Sequence, residues 1–270
     1  MKSISIFLFL LITLASNAQD NKTSGLNARQ FHKYWKVESE SPDYKVTFRG
    51  DTAEILSSKG LTLWRKEKMS GKVTIEYDAC VVVEAEGDRL SDLNCFWMAS
   101  DPQYPDNIWK REKWRNGIFL NCYSLQLYYM GYGGNHNSTT RFRRYDGNEA
   151  AVTNAKARPA ILKEYTDADH LLEANKWYHI KITNENNSYY INGVRLVDFR
   201  DAEPLTEGWF GFRTTLSRTR IANFHYECSS QETSEIPLHW IGNTPQQNKA
   251  VSLGVPFNEG ELYPEHTLQL

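Results

Sequence analysis

Between Ile118 and Asp146 the chain reads IFLNCYSLQLYYMGYGGNHNSTTRFRRYD, and its residue types are those of anion recognition and proton transfer. Guanidinium groups bind carboxylates bidentately, which points Arg141 and Arg143 toward an acidic ligand. Gln126 adds a neutral donor, and Tyr132, His136, Tyr128 and Tyr145 are the candidate proton carriers. A phenol set between arginines has its pKa lowered, the direction a general base requires. These groups suit β-elimination from a uronic acid, by a lyase or a dehydratase. One group holds the carboxylate, one removes the neighbouring proton and one assists the departing oxygen. Arg115, Trp114 and Trp109 upstream and Arg213 downstream complete the expected substrate-binding set. In the alternative reading the chain only binds sugar, with Trp109, Trp114 and Tyr132 as stacking platforms.

The elements that must position these groups are strands. The segment reads as a strand, a Gly/Asn-rich turn and a second strand. Gln126, Tyr128, Tyr132, Arg141, Arg143 and Tyr145 are expected on its open side, with Leu125, Leu127 and Phe142 on the buried side. Alternating runs recur at 31–37, 44–48, 54–56, 61–64, 73–83, 94–98, 175–182, 208–214 and 219–227, and Asn192-Gly193 is a two-residue hairpin signal. The connection 101–117 is too long and too aromatic for an idle loop. Many short strands without an amphipathic helix predict an all-β sandwich or jelly roll.

Composition bounds the rest. With 13% aromatic residues the chain can bury a core and still line a cleft with rings. A net charge of −2 gives no global attraction to nucleic acid or membranes. The local excess of Lys110, Arg111, Lys113, Arg115, Arg141, Arg143 and Arg144 over Glu112 and Asp146 favours an acidic oligosaccharide instead. Cys80, Cys95, Cys122 and Cys228 lack metal spacing; in an exported chain they could form two disulfides in three connectivities, but three of them sit in apolar strand-like runs, where buried free thiols are expected. No cofactor motif is present; a structural Ca²⁺ is compatible with such a sandwich, but no residues name its site. Residues 1–18 fit a secretory signal peptide, so the mature protein is expected outside the cytoplasm, periplasmic or extracellular, without a membrane span and as a monomer. A flexible lead-in (19–30), the sandwich (31–228) and an extension (229–270) follow.

The stretch NKWYHIKI…YYINGVRLVDF…GWFGFRTTLSRTRIANFHYE resembles the C-terminal half of concanavalin-A-like lectin and glucanase sandwiches. LQLYYMGYGGNHNSTTRFRRYDG narrows this: it resembles exported Bacteroidetes domains of polysaccharide-utilisation loci. That resemblance implies lyase- or dehydratase-type chemistry on uronic-acid oligosaccharides such as those of ulvan. Glycoside hydrolysis on the same sandwich is a further alternative; sandwich glucanases carry Glu-x-Asp-x-x-Glu on one strand, and neither Glu76-Tyr77-Asp78 nor Glu84-Ala85-Glu86 reproduces it. Residues from Gln231 onward resemble the opening strands of a further β domain.

Overall fold

The computed structural model describes residues 24–229. The expected signal peptide, and all but the first residue of the expected extension, lie outside them. The strands are β1 (Trp35–Ser39), β2 (Tyr44–Arg49), β3 (Thr52–Arg65), β4 (Met69–Ser70), β5 (Lys72–Val81), β6 (Leu93–Ser100), β7 (Gln126–Gly133), β8 (Thr139–Asp146), β9 (Lys163–Tyr165), β10 (Trp177–Thr183), β11 (Ser188–Ile191), β12 (Val194–Val197) and β13 (Glu207–Ser229). The expected strand at 31–37 begins late: Phe31–Tyr34 is a helical turn that leads into β1.

Two strands hold the architecture together. Residues 209–213 of β13 pair with β6, and residues 219–229 pair with β5. β3 follows β13 through the same change of layer. The bend falls at Leu216, which has a φ of 49° and sits in a register shift between Thr215 and Ser217. The front layer therefore runs β9-β8-β7-β6-β13-β3-β1, and the back layer β12-β11-β10-β5-β13-β3-β2. This is the expected concanavalin-A-like β-sandwich.

Its core is rich in rings. Trp35, Leu63, Trp97, Tyr128, Tyr132, Phe142 and Phe212 from the front meet Ile75, Tyr77, Tyr178, Ile180, Tyr189 and Phe224 from the back, all buried. Trp97 stacks with Phe142 and Tyr189 at 5.8 and 6.4 Å between ring centroids. Cys80, Cys95 and Cys122 are buried thiols, and burial pushes Cys95 up to about 12 and Cys122 up to about 11. Asn192 and Gly193 both take positive φ in the β11–β12 turn, as the hairpin signal requires. Residues 24–30, expected within the flexible lead-in, are packed: Leu26 is fully buried, and the Ser24 carbonyl accepts from Trp35 Nε1 and Arg65 Nη1.

A second apolar cluster covers the outer face of the front layer. Trp64, Phe96, Leu127, Tyr129, Tyr145 and Trp209 on the strands pack against Ile108, Cys122, Tyr123 and Ala151 from the connections 101–125 and 147–157. The long aromatic connection is thus a roof, folded as short turns at Ile108–Arg111, Glu112–Arg115 and Phe119–Ser124.

Candidate functional site

The β7–β8 hairpin decides where the expected catalytic residues go. Tyr128 pairs with Arg144, Met130 with Phe142, Leu127 with Tyr145 and Tyr129 with Arg143. Tyr128 and Tyr132 therefore share a face with Phe142, whereas Arg141, Arg143 and Tyr145 lie on the opposite face. The connecting turn carries left-handed residues at Gly133, Asn135, His136 and Asn137, and it sets the register. A slip of one residue exchanges the faces of a strand, and the expected grouping was wrong by that one step.

Both tyrosine sets are structural. Tyr128 donates to Asp201 at 2.7 Å and accepts from Leu205 N at 3.1 Å. Tyr132 donates to the Leu171 carbonyl at 3.2 Å, and Tyr145 is fully buried in the roof cluster. Burial pushes all three phenols up from their ordinary value, the reverse of what a base requires. His136 is exposed at the turn between them.

The expected binding residues separate as well. Gln126 is half-buried at the start of β7, opposite Asp146. Arg141 pairs with Glu164, and Arg143 donates to the Pro159 carbonyl. Arg115 is completely buried against Glu38, and Arg213 is buried against the Gly117 carbonyl. Trp114 is exposed, with the Arg111 guanidinium 4.3 Å from its ring. Arg141, Arg143 and Arg213 do share the outer front face. The phenol among them is Tyr129, which is not among the expected residues; its electrostatic neighbours include Arg213 and Arg143.

Of the expected residues, Trp109 lines a sizeable concavity. A groove of about 560 Å³ opens between β1 and β2, where the two layers end. Phe31 and Trp35 are buried at its base, Val46 and Phe48 are half-buried, and Tyr44 is exposed. Trp109 comes from the roof and meets Trp209 edge to face at 6.1 Å between centroids. Three cation-forming side chains join these rings. Lys36 Nζ stands 5.3 Å from the Trp109 ring centroid and pairs with Glu112, and Lys66 donates to the His32 carbonyl beside the His32 side chain. Among the described residues the groove lining itself includes no carboxylate, although Glu112 stands beside it on Lys36. Tyr44, Lys36 and Lys66 went unnoticed in the sequence because the groove unites four separated segments.

The two layers define a concanavalin-A-like β-sandwich. The chain belongs to the family described as "Domain of unknown function (DUF6250)", whose profile matches residues 55–224. Lys66 and Trp109 fall within that match, and the β1–β2 side of the groove precedes it. The chain is 24% identical over 173 residues to β-galactosidase A of Aspergillus oryzae, covering 63% of this chain and 17% of that protein. The probable β-galactosidase A of Aspergillus flavus matches equally. The chain thus spans about a sixth of the length of these relatives.

Among solved structures, a Bacillus subtilis protein of unknown function with a galectin-like fold has a TM-score of 0.60 at 14% identity, covering 76% of this chain and 93% of that one. The exoplasmic/lumenal domain of VIP36, in a Ca²⁺/Man3GlcNAc-bound form, has a TM-score of 0.51 at 8% identity, covering 79% and 92%. These comparisons overturn the lyase expectation. The relatives bear the names of β-galactosidases, which are hydrolases, and burial withdraws Tyr128, Tyr132 and Tyr145 from the expected bases, leaving the exposed His136.

Proposed function

We propose that the chain is a non-catalytic carbohydrate-binding module that holds a saccharide in the groove between β1 and β2. The observation that carries this reading is the meeting of Tyr44 and Trp109 with Lys36, Lys66 and His32 around one concavity. Aromatic faces pack against the apolar faces of sugar rings, and a few polar groups orient the hydroxyls. The groove's volume, about 560 Å³, lies within the usual range of small-ligand sites. A glycosidase needs two carboxyl groups across the bond, and among the described residues the lining includes neither. The small share of the β-galactosidases that the chain matches supports a modular role.

The cationic groups favour an acidic chain, such as the uronate-containing oligosaccharides of ulvan. Export through residues 1–18, action in the periplasm or outside the cell, and a monomeric state belong to the same proposal. Affinity electrophoresis through gels cast with uronate-rich and neutral polysaccharides tests it. Retardation is expected in the acidic gels and should weaken with added salt, because exposed charges are screened. Equal mobility in every gel would exclude the reading.

A further inference from the structure

The outer face of the front layer carries a second feature. Rings of Phe119, Tyr123 and Tyr129 gather where the roof meets β7, with Phe119 lying 5.7 Å from Tyr123 and 5.6 Å from Tyr129. Three guanidinium groups surround them. Arg213 lies 5.5 Å from the Phe119 ring and Arg158 5.5 Å from the Tyr123 ring. Arg143 lies across the β7–β8 pair from Tyr129 and is among its electrostatic neighbours.

Other arginines on this face have carboxylate partners: Arg141 has Glu164, Arg115 has Glu38 and Arg89 has Asp92. No carboxylate among the described residues forms an ion pair with Arg143, Arg158 or Arg213. Arg143 has the Pro159 carbonyl and Arg213 the Gly117 carbonyl, both at 2.5 Å, and the buried Nε of Arg158 has no acceptor. Asp92 and Glu38 lie within electrostatic range, but each is engaged by its own arginine. Arg213 is buried and Arg143 and Arg158 are half-buried, and a guanidinium partly withdrawn from water favours an anionic partner.

We propose that Arg143 and Arg158 form an anion site beside Tyr129, taking the carboxylate or sulfate group of an acidic sugar whose ring rests on the half-buried Phe119. Each guanidinium presents N–H donors in a planar fork that matches such an anion. Burial raises the Tyr129 phenol well above its ordinary value, so it stays protonated and available as a third donor. Gly131 makes room for this hydroxyl, since a Cβ there would stand 2.5 Å from it. The site is separate from the β1–β2 groove and stands whether or not the groove binds sugar.

Titration of the whole chain with sodium glucuronate, sodium sulfate and sodium chloride at matched ionic strength tests it, followed by amide resonances of 119–131. Saturable shifts with glucuronate alone identify a carboxylate site and with sulfate alone a sulfate site. Saturation by both means that both anions are accepted. Each variant, Arg143→Gln and Arg158→Gln, should weaken that binding at least tenfold while keeping the wild-type melting temperature and groove binding. Shifts matching those of chloride, or saturation unchanged in both variants, would overturn the proposal.

Discussion

Arg115→Met is expected to lower stability by about 3–5 kcal/mol, the range for breaking a buried ion pair from one side. Arg115 and Asp101 are completely buried and Glu38 is 6% exposed. Arg115 donates to Glu38 at 3.0 Å and to the Ile108 carbonyl at 2.7 Å, and Asp101 stands 3.7 Å away. Glu38 belongs to β1 and Ile108 to the roof, so this one side chain ties the roof to the sheet. Methionine fills much of the same volume but leaves Glu38 without its ion-pair partner and Asp101 with Arg111 alone, 3.5 Å away. At about 2–4 °C per kcal/mol for a domain of this size, the melting temperature should fall by roughly 6–20 °C. Thermal unfolding of both proteins checks this.

The pH dependence of that loss has a definite sign. Burial is the largest influence on Glu38 and pushes its carboxyl up, while Arg115 pulls it down. An acid whose folded pKa exceeds its unfolded value contributes stability fully present below the unfolded pKa and lost as pH rises through the folded one. Removing Arg115 removes the opposing pull and widens that interval. The deficit of Arg115→Met should therefore be smallest below about pH 4 and grow toward neutrality. Adding Glu38→Gln to the variant should recover part of it at neutral pH.

Trp109→Ala should weaken saccharide binding by about 2 kcal/mol or more, roughly 30-fold, as expected of an aromatic anchor at the centre of a site. Trp109 is half-buried and packs on Trp209, so its removal also touches the roof. Tyr44 is exposed on β2, and Tyr44→Ala should reduce affinity while leaving the melting temperature close to wild type. Calorimetric titration with the polysaccharide that most retards the wild type gives both values. Undiminished affinity in both variants would remove the rings from the binding account.

The layers were legible because the information for them is local. Alternation in β5 and β10, the Asn192-Gly193 turn and the aromatic content each report on a few neighbouring residues. The site was not, because register and burial are properties of pairs. Tyr128 and Arg143 both look polar on paper, yet their faces depend on the left-handed turn at 133–137. Arg115 and Arg213 read as cleft cations but serve as ties beneath the roof. Trp109 was named among the binding residues, but its companions come from 31–37, 44–48 and Lys66, where alternation showed only strands.

The most direct measurement is a two-dimensional amide spectrum of the labelled protein, titrated with the polysaccharide fragment that binds. The account predicts saturable shifts at the Trp109 indole N–H and at the amides of Lys36, Tyr44 and Lys66. Shifts confined to the back layer, or none at these four residues while the fragment is bound, would contradict it.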